Sequence, residues 1–348
     1  MIMFSIIIPI FQANEFLGNM INSLTYPPKN DYEIILVDDG STDGSAELCD
    51  EICRKDKRIR VVHKQNDGVA SARNVGISLA NGKYIMFGDA DDTFDEIYLD
   101  TIRDICKKKE YGLIEYGYRL VDMKCGVDIS NVPTFEGEVS IASLRKRANK
   151  LIDDIGTNYV WNKVFVRAII EKYNLRFKKM KIGEDAEFVY QYLGKLTGDI
   201  YFSTHVLYNY VQNDDSAVHK YCETRYKDEQ MRMKAAKELL TVWGYSERQV
   251  CSVLKEQYKN IALCELYNVL TDDCPMTLRE KRRYLAKICD NENIRNAIKT
   301  DLTHDMLTAR VQLFLLKNRM FFFLIVILQA KRKFMSWKQT EVGYEGSF

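Results

Sequence analysis

Across its first hundred positions the chain alternates short apolar runs with stretches of helical spacing. Phe4 to Ile8 is a short apolar run, interrupted only by Ser5 and ended by Pro9, the pattern of a central parallel strand. Asn14 to Leu24 sets Phe16, Leu17, Met20, Ile21 and Leu24 at helical intervals, and Pro27 and Pro28 close it. Glu33 to Val37 predicts a second buried strand, with Asp38-Asp39-Gly40-Ser41 turning out of it. Ser41 or Thr42 is the expected cap of a helix that runs to Lys55. Arg58 to His63 reads as a third strand and Val69 to Ala80 as a helix stopped at Asn81-Gly82. Tyr84 to Phe87 is a fourth strand, ending in Gly88-Asp89-Ala90-Asp91-Asp92.

Strands alternating with helices imply an α/β fold with a parallel sheet, and such sheets bind ligands beyond the carboxyl ends of their strands. Polar residues gather there: Gln12 and Asn14, Asp38 and Asp39, Asn66 and Asp67, and Asp89, Asp91 and Asp92. After residue 112 short strands and helices mix, and from 216 the pattern is mainly helical and charged. The expected organisation is therefore 1–110, 111–215 and 216–348.

Composition changes this picture little. Of 348 residues 46% are apolar and 28% charged, enough for a sizeable core and unlike a disordered chain. A net charge of +1 gives no global electrostatic case for nucleic acid. The nine cysteines form no CxxC pair and have no histidine partner, so reduced cytosolic thiols are expected. The N-terminus has no basic segment and no small-residue cleavage site, and reads as a strand rather than a signal peptide.

Asp89-Ala90-Asp91-Asp92 places three carboxylates at one strand end. Hard oxygen ligands suit Mg²⁺ or Mn²⁺, which would neutralise charge building on a diphosphate leaving group. The bland alternative is an acidic turn capping the next helix. At Asp38-Asp39-Gly40-Ser41 the alternatives are a turn with a cap, or a carboxylate accepting a hydrogen bond from a nucleobase.

Three strings together resemble family 2 glycosyltransferases in order and spacing: Ile34 to Asp43 (IILVDDGSTD), Asn66 to Gly76 (NDGVASARNVG) and Gly82 to Asp92 (GKYIMFGDADD). A looser match follows at Val160-Trp161-Asn162-Lys163-Val164-Phe165 and Gly183-Glu184-Asp185. The resemblance implies a GT-A fold, a Rossmann-like, mostly parallel sheet flanked by helices, with a mainly helical C-terminal extension. It implies a nucleotide-sugar-binding half at 1–110, an acceptor-binding and catalytic half at 111–215, and inversion at the anomeric carbon. The nucleoside-diphosphate donor, a UDP-sugar, would lie over the first two strand ends. Pro9 and Phe11 would border the uracil, and Asp39 with Asp38 would read it. Relatives often carry Tyr-Asn where this chain has Phe11-Gln12. Stacking survives that change, but a tyrosine hydroxyl contact does not. Arg73 would sit near the nucleotide and Asp89 would support the ribose or sugar. Asp91 and Asp92 would hold Mn²⁺ or Mg²⁺, with His219 a further metal candidate on a segment that closes over the donor in relatives. The absent side chain at Gly88 would leave room for the sugar. Asp185 would be the general base, with Glu184 beside it, and Trp161 and Lys163 would face the acceptor, a saccharide or lipid-linked oligosaccharide of surface polysaccharide synthesis.

The C-terminal stretch adds a membrane question. Met306 to Thr340 holds seven basic residues and no acidic one, and Met320 to Leu328 is wholly apolar. As a helix that run spans about 14 Å, short of the ~30 Å hydrocarbon core. Peripheral contact through 310–338, at the cytoplasmic face of the cell membrane, is expected. A buried helix or a homodimer interface is the alternative. Two other functions compete: a nucleotidyltransferase or dehydrogenase, which would want a glycine-rich loop where this chain reads Pro-Ile-Phe-Gln-Ala-Asn, and a degenerate, non-catalytic scaffold.

Overall fold

The computed structural model describes residues 2–25, 30–122, 127–212, 220–299 and 306–330. They form two compact units. The first runs to Gln212 and includes Gln230–Ser246; the second comprises Lys220–Glu229 and the chain from Glu247 onward. The boundary expected near 110 falls inside the first unit, because its two halves share one sheet.

That sheet contains β1 (Phe4–Ile10), β2 (Tyr32–Asp38), β3 (Ile59–His63), β4 (Tyr84–Phe87), β5 (Thr93–Phe94), β6 (Leu113–Asp122), β7 (Val127–Asn131), β8 (Gly137–Val139), β9 (Lys163–Val166) and β10 (Ile200–Gln212). The order is β3-β2-β1-β4-β9-β6-β10-β5, with β7 on β6 and β8 on β10. The four strands β3-β2-β1-β4 are parallel, as the alternating pattern predicts. Beyond β4 the sheet is mixed: β9 runs antiparallel to both β4 and β6, while β6 and β10 are parallel.

β1 extends two residues past its expected end, through Pro9. In this parallel ladder Ile7 bonds toward β4, its carbonyl accepting from Gly88 N, and Ile10 bonds toward β2, accepting from Asp39 N. Pro9 shares Ile7's side, and β4 has already ended at Phe87. Its missing N–H therefore removes no ladder bond.

Both sheet faces are covered, by α1 (Leu17–Thr25), α2 (Ser45–Lys55), α3 (Val69–Leu79), α4 (Tyr98–Lys108) and shorter helices α5 (Ile141–Arg145), α6 (Ala148–Ile152) and α7 (Arg167–Lys172), with α8 (Glu184–Lys195). Phe4, Ile6, Ile8 and Ile10 join one core cluster with Leu17, Met20 and Ile21 of α1 and Ile102 of α4. On the other face α3 lies hard against β1: a Cβ at Gly76 would come within 2.2 Å of Ile7 Cγ2. Phe87 packs there against Phe165, Phe177 and Phe188.

The second unit is helical: the first turn of α9 (Arg225–Val242), α10 (Glu247–Val253), α11 (Lys255–Asn268), α12 (Leu278–Asp290), α13 (Glu292–Ile298), α14 (Leu307–Lys317) and a last helix over 321–330. Among the described residues no helix is long and apolar enough to cross a membrane.

Candidate functional site

The carboxyl ends of β1, β2 and β4 open into a cavity of about 410 Å³ bordered by Pro9, Phe11, Asp39, Asp89, Asp91 and Lys181. Two loops shape it. Ser41 and Thr42, the expected caps of α2, instead tie the β2 loop to the β1 loop. Ser41 Oγ accepts from Gln12 N at 3.2 Å, and Thr42 N donates to Gln12 Oε1 at 2.8 Å. The N-cap position is Gly44, and Asp43 before it accepts from Ser45 N at 3.1 Å and Ser45 Oγ at 2.6 Å. Gln12 adopts φ 51°, a left-handed conformation uncommon outside glycine and asparagine, held by these cross-loop bonds. Beside it the Phe11 ring stands 54% exposed at the cavity edge.

The adjacent carboxylates at the end of β2 have separate roles. Asp38 is buried, accepts from Ser41 N at 3.0 Å and meets His63 Nδ1 at 2.9 Å. Burial alone would raise its pKa, but the Ser41 and His63 hydrogen bonds outweigh it and hold the pKa below the usual value. Asp38 does not line the cavity, so the expectation that it reads a base with Asp39 is corrected. Asp39 does line it; its carboxylate accepts from Asp67 N at 3.1 Å and Gly68 N at 2.7 Å and pairs with Lys64. These bonds order the Asn66-Asp67-Gly68 turn against β2.

After β4 the three aspartates also diverge. Asp91 is exposed and borders the cavity, and the Asp89 side chain is 29% exposed. Asp92 is buried, with Tyr208 Oη donating to it at 2.7 Å and Val211 N at 2.8 Å. Burial and the neighbouring Asp89 and Asp91 charges push its pKa well up. The expectation of Asp92 as a metal ligand is corrected on this ground: its oxygens are committed to β10. Asp89 and Asp91 remain. Among the described residues no three His, Cys, Asp or Glu side chains converge as a metal cage. Two hard carboxylates at a cavity fit a Mg²⁺-like ion that takes its other ligands from phosphate and water. His219 lies outside the described residues.

The expected room beside Gly88 is filled from within. A Cβ there would meet Met20 Cε at 2.6 Å and Phe94 Cε2 at 2.9 Å, so these side chains, not a sugar, occupy the space.

Arg73 links Asp89 at the cavity to the two acids that begin α8. Its guanidinium is buried, donating to Asp89 Oδ1 at 2.9 Å, Glu184 Oε1 at 3.1 Å and Asp185 Oδ1 at 2.5 Å. Gly183, at φ 73°, starts α8 and puts both acids in its first turn. One cation thus serves three carboxylates. Burial pushes the Asp185 pKa up, Arg73 pulls it back, and Glu184 and Asp89 add repulsion, leaving it at about 8. Asp185 is thereby a carboxyl poised to exchange a proton near neutral pH.

Trp161 and Lys163 are placed elsewhere. Trp161 is 2% exposed, stacked with Tyr159 at 4.5 Å and Tyr208 at 4.6 Å, and is core rather than a sugar platform. Lys163 is fully buried; its ammonium donates to Gly156 O, Tyr159 O and Asn162 Oδ1 and pairs with Glu115 at 3.3 Å. Neither reaches an acceptor, and both expectations are corrected by burial. Sequence reasoning missed Lys181, which borders the cavity two residues before Gly183, and Tyr208, which also accepts from Asp89 N at 2.9 Å. Lys181 stands just outside the recognisable motif, and Tyr208 is one of several tyrosines on β10 with no local mark. A second cavity of about 550 Å³, lined by Glu15, Asn19, Thr93, Arg119 and Asn209, shares Phe16 and Asp91 with the first.

Known proteins are similar to this chain in sequence and in fold. Residues 5–173 match the model of glycosyl transferase family 2. The uncharacterized glycosyltransferase EpsJ of Bacillus subtilis (strain 168) is 26% identical over 342 residues, covering 94% of this chain and 96% of its own. The glycosyltransferase GlyG of Streptococcus pneumoniae serotype 4 is 37% identical over 123 residues, 35% of this chain and 41% of that protein. In fold, the chain is similar to residues 1–349 of S. aureus TarS, solved with UDP-GlcNAc, at a TM-score of 0.69 and 15% identity over 95% of this chain and 92% of that one. The mannosyltransferase PcManGT from Pyrobaculum calidifontis, solved with GDP-Man and Mn²⁺, follows at 0.52 and 12% identity, over 94% of this chain and 86% of its own. With the parallel β3-β2-β1-β4 half and the motifs at its strand ends, residues 5–173 form a glycosyl transferase family 2 domain, in a glycosyltransferase chain of GT-A fold.

Proposed function

We propose that the enzyme transfers a sugar, with inversion, from a nucleoside-diphosphate donor, a UDP-sugar, to a hydroxyl of a saccharide or lipid-linked oligosaccharide in bacterial surface polysaccharide synthesis. The observation that carries this reading is the Arg73 guanidinium, which joins Asp185 to Asp89, and Asp89 borders the same cavity as Phe11 and Asp39. Phe11 stacks on the base, and Asp39 accepts from its N–H while fixing the 66–68 turn. Stacking of this kind contributes about 1–3 kcal/mol. The UDP-GlcNAc bound by TarS supports a uridine donor, and the hydrogen-bonding side chains Glu15, Asn19, Arg119 and Asn209 around the second cavity support a hydroxyl-rich acceptor.

The acceptor hydroxyl gives its proton to the Asp185 carboxylate as its oxygen attacks the anomeric carbon. The bond from that carbon to the diphosphate oxygen breaks, and its electron pair leaves with the nucleotide. Such a base contributes about 10²–10⁴-fold. Arg73 keeps Asp185 oriented and limits the rise in its pKa. A Mn²⁺ or Mg²⁺ ion held by Asp91 and Asp89 would supply positive charge to the departing diphosphate. We place the enzyme in the cytoplasm, peripheral at the inner face of the cell membrane.

Purified protein incubated with Mn²⁺ and a panel of UDP-sugars tests the reading. Release of UDP from at least one sugar is expected. No hydrolysis or transfer with any nucleotide sugar would overturn it.

A further inference from the structure

The second unit exposes apolar side chains in an ordered way. On α14, Leu307, Val311 and Phe314 recur at intervals of four and three, and Leu307 is 74% and Phe314 55% exposed. The opposite face, Gln312, Leu313 and Leu316, is buried. The chain breaks at Asn318 and Arg319, the latter at φ 55°, and the helix over 321–330 begins. There Phe321, Leu324 and Ile325 are buried while Phe322, Phe323, Val326 and Ile327 are exposed. The apolar run at 320–328 is thus neither wholly buried nor a span: each helix keeps one face in the unit and turns the other outward.

Charge identifies what those faces meet. Arg310 and Lys317 are exposed on α14 and stand three residues from Leu307 and Phe314, so they share the outward face. Met306 to Thr340 contains seven basic residues and no acidic one. In a two-fold dimer built on this face, Arg310 and Lys317 would face their own like charge. Anionic lipid headgroups instead attract it, while the aromatic and aliphatic side chains enter the headgroup–acyl boundary.

We infer that the outward faces of α14 and of the 321–330 helix form a two-helix anchor for an anionic bilayer surface. This rests on the peripheral placement proposed above and names the residues that make the contact.

Sedimentation of the full chain with vesicles, without donor present, tests it. Wild type should pellet with phosphatidylcholine vesicles containing phosphatidylglycerol, less so in high salt, and weakly with phosphatidylcholine alone. R310E/K317E should lose the anionic preference, with binding about fivefold weaker for each charge removed. F314S/F323S should lose binding to both vesicle types. These side chains are exposed, so the variants should fold; retained UDP binding in the same samples would check this independently. Wild type left in the supernatant with both vesicles, or F314S/F323S binding as wild type does, would overturn the inference. So would a dimer in analytical ultracentrifugation that F314S/F323S abolishes. Absence of glycosyl transfer would leave the vesicle result standing, so the two readings fail separately.

Discussion

The polar residues above β1–β4 and those around β6, β9 and β10 are the same kinds of amino acid with opposite fates. Above β1–β4, Phe11, Asp39 and Asp91 border a cavity beyond the ends of parallel strands. Around β6, β9 and β10, Glu115, Asn162, Lys163 and Asp92 are buried and matched to one another, to main-chain groups or to Tyr208. The difference lies in where the ladder stops. Past the parallel strands Phe11 and Asp91 are exposed and Asp39, though itself buried against the 66–68 turn, still borders the cavity, whereas the second set is covered by neighbouring strands. Arg73 joins the two behaviours: it is as buried as a structural cation, yet every carboxylate it holds belongs to a segment flanking the cavity.

Substitutions can break this contrast. The largest effect is expected at the base: Asp185→Asn should keep UDP binding and lower transfer by about 10²–10⁴-fold. Transfer at the wild-type rate would remove Asp185 from that role. Lys163→Met should leave donor affinity intact but destabilise the fold by about 3–5 kcal/mol, because Glu115 stays buried without its cation. Adding Glu115→Leu should recover much of that loss, read by urea unfolding. A change in acceptor KM without a change in stability would place Lys163 back on the acceptor side. At the cavity, Asp39→Asn should weaken UDP binding roughly tenfold to a hundredfold in calorimetry, and Phe11→Ala by about five- to a hundredfold.

The smallest and most discriminating effect concerns pH. A base must be ionised to accept a proton, and burial raises the Asp185 pKa to about 8. Activity should therefore rise with pH through about 8 and fall below it. Arg73 lowers that pKa, so Arg73→Gln should move the midpoint upward. A midpoint near 4, unmoved by the variant, would mean that Asp185 is not the titrating base.

Much of this was legible in the sequence because the parallel half is local in its logic. Strand runs, turn residues and helical spacing from Phe4 to Phe87 each predict their element within a few residues. Asp39, Arg73, Asp91 and Asp185 are marked by strings that match relatives. Misreadings arose where burial depends on distant partners. Asp92 looks identical to Asp91 until β10, more than a hundred residues later, brings Tyr208 and Val211 to it. Lys163 and Trp161 read as exposed motif residues until β6 supplies Glu115 and β10 supplies Tyr208. The apolar run at 320–328 reads as one stretch because the buried and the exposed faces of its helix carry the same kinds of side chain.

The missing side chain at Gly76 limits how such an enzyme can be rebuilt. Arg73 stands one turn earlier on the same helix, so the depth at which α3 sits on β1 also sets the depth of the guanidinium. A methyl at 76 would lift the helix from Ile7, and the carboxylates at 89 and 184–185 would lose their common partner together. Those positions therefore depend on one another physically, although more than a hundred residues separate the first from the last. Gln12, at φ 51° and bonded to Ser41 and Thr42, is tied to the β2 loop, but position 11 carries no such debt. A library aimed at a new donor has its freedom there, and a chimera with a crossover between 76 and 89 must bring matching acids with it.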